Sequence, residues 1–346
     1  MPIDDCVADA IVNSAIGSFN RQSAVSNRQL QRRASIDILL LLMIVIWGSN
    51  YSIAKYAFTQ INPQAFNAAR MVLGSAVFIV IILAARRAAR RFGAEQARFA
   101  TIFFTPAPLT KRDWMWLTLL GIVGHTLYQY LFIGGLARTS VANSSLMLGA
   151  TPVFIAVISA ALGHERVGPL HWAGIVLSLA GIYVVAATGA RLSAEHLRGD
   201  LMMVGAVCCW AAYTVAARKL ITRHSPVGVT GISMAIGTVP YVIVVAGAIR
   251  STAWSDVSAE TWLIITYSAL FSLCVAYTIW YAALREIGSA RTAVYSNLVP
   301  IVAMLTAVLF LGESLSVVKV AGAAAVLGGV ALTRVGRSQL VMPPEE

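Results

Sequence analysis

Charged residues are scarce in this 346-residue chain, at 12% of all positions, and only 15 of them are acidic. Ordinary soluble domains carry about 25% charged residues. Hydrophobic residues make up 58%, and the mean hydropathy is +0.75. A soluble chain of this size has too little interior to bury so much apolar surface. The composition therefore excludes a water-soluble enzyme or nucleic-acid-binding protein and predicts a polytopic membrane protein.

The few cysteines and the missing catalytic motifs narrow the function further. No metal-ligand spacing joins the four cysteines, and three of them lie inside apolar runs: Cys6, Cys208, Cys209 and Cys274. We expect neither a metal site nor a disulfide framework from them. No phosphate-binding glycine loop, HExxH motif or GxSxG motif is present. We therefore expect no cofactor, no ATP-driven step within this chain and no enzymatic activity.

Apolar runs of membrane-spanning length recur along the chain. A bilayer core about 30 Å thick needs roughly 20 apolar residues per helix. Ten runs of that length occur, mostly separated by short connections with Pro or Gly: 36–57, 65–85, 114–136, 141–162, 169–188, 200–221, 228–249, 262–284, 290–311 and 315–334. The predicted fold class is therefore an all-α polytopic membrane protein with ten transmembrane helices.

Basic residues are unevenly divided between the two sets of connections. With the N-terminus inside, the inner segments carry nineteen Lys and Arg and the outer segments five, while Lys55 and Arg70 within spans complete the 26. Cytoplasmic loops carry the basic excess in membrane proteins. We expect the protein to lie in a bacterial inner (plasma) membrane, with both of its termini cytoplasmic. Residues 1–35 are predicted to be a disordered tail, 86–112 a basic cytoplasmic loop and 335–346 a cytoplasmic C-terminal tail.

The chain also contains an internal repeat. A shift of 163 residues pairs Asp37 with Asp200, Trp47 with Trp210, Lys55 with Arg218, Pro63 with Pro226 and Gly74 with Gly237. A shift of 148 pairs Trp114 with Trp262, Pro152 with Pro300, Glu165 with Glu313, Gly174 with Gly322 and Gly181 with Gly329. The predicted repeats are residues 36–188 and 199–334. Five spans is an odd number, so the repeats would enter the membrane in opposite directions, as in many secondary transporters. The alternative is a duplication kept for packing alone.

Short motifs in both repeats carry a resemblance to a known family. They are Trp47-Gly48-Ser49-Asn50 with Lys55, Pro63 with Ala68-Ala69-Arg70, Gly199-Asp200 with Trp210-Ala211-Ala212-Tyr213, and Asn297-Leu298-Val299-Pro300 with Leu311-Gly312-Glu313. Over about residues 36–334 the chain resembles the EamA domains of the drug/metabolite transporter superfamily. The resemblance implies two inverted five-helix repeats and transport of small metabolites, often amino acids or toxic organic compounds, commonly outward. One departure is His164, because a glycine precedes the matching Glu313.

Polar side chains within the first two spans are candidates for a substrate site, since they are costly in hydrocarbon unless they face a partner or a wet cavity. They share one helical face in each span: Trp47, Asn50, Tyr51 and Lys55 in the first, Asn67 and Arg70 in the second. Lys55 and Arg70 together would hold a substrate carboxylate. The alternatives are snorkelling of Lys55 to the headgroups and a structural hydrogen bond from Arg70 to backbone carbonyls of the first span.

Four further spans contribute candidates. They are His125, Tyr128 and Gln129 in the third span, Trp210 and Tyr213 in the sixth, Tyr277, Trp280 and Tyr281 in the eighth, and Tyr295 and Asn297 in the ninth. His125 is the best-placed titratable group, although a satisfied packing residue is the alternative. A cavity lined by aromatic rings and amides would suit amphipathic or aromatic solutes and offer cation–π contacts. Ordinary helix packing is the alternative for these rings.

Two prolines occupy matching mid-span positions in the repeats. Pro152 and Pro300 each free a backbone carbonyl and can kink a helix, so both are candidate hinges. Proline tolerated without function is the alternative. No span centre carries Asp or Glu, whereas ion-coupled carriers usually keep a carboxylate in the pathway. The sequence therefore favours facilitated exchange or uniport at least as much as proton coupling through His125.

The sequence thus predicts a secondary transporter of small metabolites that exports amino acids or related carboxylates by alternating access. An exporter of cationic or aromatic drugs is the alternative, and a non-transporting membrane receptor or scaffold is a more distant one. The expected partners are a small-molecule substrate and the lipid bilayer, with no nucleic acid. The chain is expected to be a monomer or a homodimer.

Overall fold

The computed structural model describes residues 35–92, 100–103, 107–161, 165–166, 168–190, 193–335 and 339–340. The contacts divide the chain into two units, residues 1–42 and residues 43–346. Of the first unit, the structure describes residues 35–42, which are helical. The predicted disordered tail lies outside the described residues except for Ser35. Parts of the predicted basic loop and of the C-terminal tail lie outside them as well.

Helices make up nearly all of the described chain. They are α1 Ser35–Ala57, α2 Pro63–Phe92, α3 Ala100–Phe103, α4 Lys111–Gly121, α5 Tyr128–Arg138, α6 Val141–Gly149, α7 Thr151–Ala161, α8 Pro169–Ala190, α9 Ala194–Arg223, α10 Pro226–Val244, α11 Ala246–Ser251, α12 Ala259–Tyr267, α13 Ala276–Ser296, α14 Val299–Leu311 and α15 Val317–Val335. Two short strands, β1 Glu165–Arg166 and β2 Gln339–Leu340, pair antiparallel with Glu165 opposite Leu340.

Within the described residues, seven helical segments are long and apolar enough to cross a membrane. They are Ser35–Ala57, Pro63–Arg91, Lys111–Arg138, Val141–Ile158, Ala194–Arg223, Pro226–Val244 and Ala259–Glu286. Three shorter apolar helices fall in the remaining predicted runs: Pro169–Val185, Val299–Leu311 and Val317–Leu332. The protein is an integral membrane protein built from helices.

Local sequence explains where several of these helices begin. Thr110 forms a capping box with Asp113, each side chain bonding the other residue's backbone N–H, and this box starts α4. Ser140 caps α6 by accepting a hydrogen bond from Asn143 N at 3.0 Å. Pro226 stands in the first turn of α10, where a helix needs no N–H donor, and Ser225 caps it.

Two spans contain π-helical segments at matching places in the two repeats. Residues Ile122–Leu127 join α4 to α5, and residues Ser268–Val275 join α12 to α13. The shift of 148 residues superimposes the end of one segment on the end of the other. A π-helical turn leaves backbone groups available for other partners and is common at functional sites.

Both candidate hinge prolines stand at the start of a helix rather than in the middle of one. The fourth predicted span is interrupted at Ala150, and Pro152 is the second residue of α7. Near the ninth, α13 continues through the predicted connection at 285–289 to Ser296, and Pro300 is the second residue of α14. The predicted break between the eighth and ninth spans at 285–289 was therefore wrong, because the helix break lies after Ser296. Proline lacks the N–H that an interior position requires, so it begins a helix instead.

Several contacts join a residue to its own counterpart in the other repeat. Trp47 and Trp210 meet edge to face with ring centroids 6.4 Å apart. The hydroxyls of Ser75 and Thr238, which the 163-residue shift pairs, lie 2.9 Å apart. Ser178 Oγ donates to the backbone oxygen of Val326 at 3.0 Å, and the 148-residue shift pairs these two. These contacts join the two repeats at equivalent positions.

Candidate functional site

A cavity lies among the helices of the second unit, with about 830 Å³ of atom-free space including its opening. Ligand pockets typically measure about 300–1,000 Å³. Nine of the sixteen residues predicted for a substrate site line it: Trp47, Asn50, Tyr51, Arg70, Tyr128, Gln129, Trp210, Tyr277 and Trp280. These side chains come from five of the predicted spans, so the chain assembles them from distant stretches of sequence.

Arg70 is the one charged residue among the described residues that line the cavity, and its side chain is only 1% exposed. Nε and Nη2 donate to Asn67 Oδ1 at 3.0 and 2.6 Å, and Nη2 also donates to Gln129 Oε1 at 2.9 Å. Nη1 donates to Ser268 Oγ at 3.0 Å, and Ser268 in turn donates to Asn50 Oδ1. Every partner is a neutral side chain, not the backbone carbonyl considered from the sequence.

No acidic side chain in the described part of the chain forms an ion pair with Arg70. Ion pairs in that part of the chain include those of Arg138 with Glu195 and of Arg223 with Asp113. A buried charge is costly unless a partner compensates it. Four hydrogen bonds serve the five guanidinium N–H groups, which leaves one Nη1 hydrogen for a further acceptor. An anion bound here would balance the charge of Arg70 and accept the remaining Nη1 hydrogen.

Aromatic rings form another part of the cavity wall, with Trp47 at their centre. Its ring centroid lies 5.7 Å from those of both Tyr277 and Trp280, in addition to the contact with Trp210. Trp47 Nε1 donates to the backbone oxygen of Ser272 at 3.0 Å, within the second π-helical segment. Tyr128 packs on Trp210 at 5.2 Å. Rings held this closely at preferred aromatic distances form a fixed apolar surface.

Lys55, predicted to share the site with Arg70, lies elsewhere. Its Nζ donates to the backbone oxygen of Leu136 at 3.3 Å and to that of Thr139, at the C-terminal end of α5. A cation is favourable at a helix C-terminus because the last carbonyls are negative. The structure therefore does not bring Lys55 and Arg70 together around the cavity.

The remaining predicted residues do not line the cavity. Asn67 lies behind Arg70 and orients it, as described above. His125 is fully buried and meets the ring of Tyr213 at 5.3 Å, with neither ring nitrogen hydrogen-bonded within the described residues. Tyr281 packs on Tyr213 and Tyr277, one layer outside the cavity. Tyr295 and Asn297 flank the break before α14, and neither contributes to the lining.

Apart from Phe132 and the candidate hinge Pro152, the lining residues outside the predicted set carry no charge or aromatic ring. They are Ser145, Leu148, Gly149, Thr151 and Ile155 of α6 and α7, together with Ser272, Leu273, Ser296 and Val299. Small and aliphatic residues are common in every span, so their identity gives no signal. These residues could have been found from their position, because they lie close to the candidate hinges Pro152 and Pro300, which mark the two helix breaks that face the cavity.

A polar cluster lies beyond the cavity at the N-terminus of α6. We call it the Glu313 cluster, and it consists of Lys55, Thr139, Asn143, Asp200 and Glu313. Glu313 Oε1 and Oε2 accept hydrogen bonds from the backbone N–H groups of Val141 and Ala142, at 2.8 and 3.3 Å. Asp200 accepts from the hydroxyl of Thr139 at 2.5 Å and from the amide of Asn143 at 3.4 Å. The cluster joins both halves of the chain at one end of the membrane-crossing helices.

The fold and the cavity define a class: a polytopic membrane protein with a solute-sized chamber that contains a buried, uncompensated cation. Such chambers among membrane helices are characteristic of transporters. The EamA-like transporter family matches residues 34–187 and 197–335. The chain therefore belongs to the EamA-like transporter family, and the resemblance seen in the sequence is confirmed.

Similar proteins include curated transporters and a solved structure. The uncharacterized transporter YyaM of Bacillus subtilis (strain 168) is 26% identical over 302 residues, covering 86% of this chain and 93% of that protein. A probable amino-acid metabolite efflux pump of Salmonella typhimurium (strain LT2) is 26% identical over 306 residues, covering 84% and 92%. One crystal structure has a TM-score of 0.59 at 24% identity, covering 88% of this chain and 99% of the other. That last likeness concerns the fold alone.

Proposed function

We propose that this protein exports amino acids or related small carboxylates by alternating access, as a secondary transporter of ten spans in two inverted five-helix repeats. We place it in a bacterial inner membrane with both termini cytoplasmic. The observation that carries the substrate class is the uncompensated guanidinium of Arg70, which is buried at the wall of the cavity.

Arg70 favours a carboxylate for energetic reasons. Its four hydrogen bonds to neutral groups hold the guanidinium in place, and no acidic side chain of the described segments balances its charge. A substrate carboxylate would supply that charge and would accept from the remaining Nη1 hydrogen. Charge-assisted hydrogen bonds of this kind are roughly twice as strong as neutral ones. A neutral solute would gain at most a hydrogen bond from Arg70, and a cationic solute would be repelled by it.

The contacts between counterpart residues support the inverted arrangement. Trp47 with Trp210, Ser75 with Thr238, and Ser178 with Val326 are each one position seen in both copies. Two copies that run in opposite directions through a membrane are related by a two-fold axis in its plane, and residues on the axis meet their own counterparts. The two glycine-rich helices α8 and α15 agree with this, because Gly181 approaches Gly322 while Gly329 approaches Gly174.

Amino-acid export is also favoured by the name of the Salmonella typhimurium relative, a probable amino-acid metabolite efflux pump. The second candidate function, export of cationic or aromatic compounds, rests on the wall formed around Trp47. Tryptophan and tyrosine faces attract organic cations. Arg70 opposes that candidate, since it would repel a cation inside the same cavity.

Substitution of Arg70 tests the proposal. In nucleotide-free proteoliposomes, we expect the wild-type protein to catalyse exchange of at least one labelled amino acid from a panel of the twenty. Arg70→Ala should reduce that exchange by at least about 100-fold, because the buried carboxylate loses its charged partner. Arg70→Lys should retain a small fraction, since it keeps the charge but not the planar fork.

The matched control is Ser233→Ala, at the position that the 163-residue shift pairs with Arg70. It should exchange amino acids within about twofold of the wild type, because the Ser233 hydroxyl bonds Thr230 O at 3.1 Å, meets the Tyr213 hydroxyl at 3.5 Å and lies outside the lining. Equal exchange by wild type and Arg70→Ala would contradict the carboxylate proposal. Transport of ethidium in place of amino acids would favour the second candidate.

A further inference from the structure

We propose that Glu313 is a gate residue, which holds the outer end of the cavity closed by capping the N-terminus of α6. This inference rests on the proposed alternating-access transport and on the proposed orientation, which puts the Glu313 cluster at the outer face. It assigns a role in the transport cycle to a carboxylate that lies outside the cavity.

The first support is the geometry of the contact. Gly312 ends α14 with a left-handed backbone, at φ +64°, and this turn directs the next residue away from the helix. The carboxylate of Glu313 then accepts hydrogen bonds from the first two N–H groups of α6. A helix N-terminus carries partial positive charge and unpaired N–H donors, so a carboxylate is its most favourable partner.

The second support is what the contact joins. Glu313 follows α14, close to the C-terminal end of the chain, whereas α6 belongs to the first half. Around the same helix end, Asp200 of α9 binds Thr139 and Asn143, and Lys55 of α1 binds the Thr139 backbone oxygen. The cluster therefore ties elements of both halves together. Movement of one half against the other at this face must break these bonds.

The third support is the position of α6 relative to the cavity. The lining starts at Ser145, four residues after Val141, and continues through Gly149 to Ile155 beyond the break at Ala150. Glu313 thus holds the first turn of the same helix that walls the cavity. In the proposed orientation, Trp280 and Ser296 of the lining lie nearer the inner face. The break at Ala150 allows α6 to tilt without moving all of α7.

The chemistry of the contact suits a gate that opens and closes repeatedly. The Glu313 side chain is half-buried, so water can replace its bonds to α6 when the two separate. Hydration of a carboxylate and of helix N–H groups offsets most of the lost attraction. A hydrophobic contact of similar size would offer no such replacement. The closed state is therefore favoured by a moderate amount that substrate binding can overcome.

Accessibility of the cavity from the outer face tests this inference without any substrate. A Ser145→Cys reporter is placed in a protein that lacks its four native cysteines, and a membrane-impermeant maleimide is applied to right-side-out vesicles. Adding Glu313→Ala should raise the labelling rate roughly fivefold to thirtyfold, because the capping carboxylate no longer favours the closed state. Glu313→Gln should give an intermediate increase, since an amide oxygen can accept a hydrogen bond but carries no charge.

Two control variants isolate the contact. Glu260→Ala removes an exposed carboxylate from the first turn of α12, at the same proposed face, and should leave the labelling rate unchanged. Glu165→Ala removes the residue that the 148-residue shift pairs with Glu313, and it should not raise labelling from outside. Each variant must elute as a monodisperse peak in detergent, and Glu313→Gln serves as the test if Glu313→Ala does not fold.

The proposal is overturned if folded Glu313→Ala or Glu313→Gln protein labels at the wild-type rate. It is also overturned if labelling rises only in inside-out vesicles, because the cluster would then close the inner face. The proposed substrate fails separately: increased labelling in a protein that exchanges no amino acid would contradict the carboxylate and leave the gate intact.

Discussion

The two halves of the chain have helical segments at matching positions but contribute different polar side chains to the cavity. The π-helical segments of the third and eighth spans occupy matching positions, yet only the eighth supplies Ser268 to Arg70 and a carbonyl to Trp47. The 148-residue shift pairs Ser268 with Leu120, and the 163-residue shift pairs Arg70 with Ser233. The repeat therefore supplies helix geometry twice, while the polar groups of the cavity are largely placed once.

The largest difference that we expect between the halves concerns the paired glycines Gly74 and Gly237. A Cβ at Gly237 would lie 2.2 Å from the backbone oxygen of Gly121, which cannot move without displacing the helix. Gly237→Ala should therefore destabilise the protein by about 3 kcal/mol, at the upper end of overpacking costs. The measurement is the temperature at which half of the protein remains monodisperse in detergent.

Gly74→Ala is the control for that prediction. Its Cβ would meet Leu273 Cδ1 at 3.3 Å, the end of a flexible side chain that can give way. Alanine also gains roughly 0.5–1 kcal/mol over glycine within a helix. We expect stability within about 1 kcal/mol of the wild type. Equal losses in both variants would show that close helix contact is shared by the two halves.

We expect a smaller effect from removing the Ser268 hydroxyl, which the eighth span has and the third span lacks. Ser268→Ala removes the acceptor of Arg70 Nη1 and the donor to Asn50. Leaving a buried polar group unpaired costs about 1–3 kcal/mol. We expect KM for the exchanged amino acid to rise roughly fivefold to fiftyfold, with the maximal rate changed far less, because the charge of Arg70 remains.

Thr278→Val is the matched control, because the Thr278 hydroxyl donates to the backbone oxygen of Cys274 in its own span and lies outside the cavity lining. Its KM should stay within about threefold of the wild-type value, less than one typical hydrogen bond's worth. A Ser268→Ala protein with unchanged KM would mean that Asn67 and Gln129 position Arg70 by themselves.

The smallest effect is expected at His125, whose counterpart in the second repeat is Leu273. His125 is fully buried and lies outside the cavity lining, and neither ring nitrogen has a hydrogen-bond partner within the described residues. His125→Leu should keep exchange within about twofold and should not lower thermal stability, because it removes unpaired polar atoms. Loss of a proton-gradient response in this variant would instead identify His125 as the coupling group.

Much of the site was predictable because polar residues in apolar spans are conspicuous. Arg70, Asn50 and Gln129 stand out in the sequence for this reason, and all three line the cavity. Lys55 stands out equally but binds the end of α5, because spacing along a helix gives the face of a side chain and not its partner. The helix break after Ser296 was placed too early, at 285–289, because Arg285 and Gly288 resemble a connection between spans, although Pro300 marks the true break.

By itself, the amino-acid sequence determined that the chain is a membrane protein, where its apolar helices lie, and to which family it belongs. Hydropathy and landmark residues act locally and survive without knowledge of neighbours. Only the tertiary structure decided that Arg70 has no acidic partner among the residues it describes and that Glu313 caps α6. Both facts depend on distances between residues far apart in the chain, and burial makes the presence or absence of a partner energetically decisive.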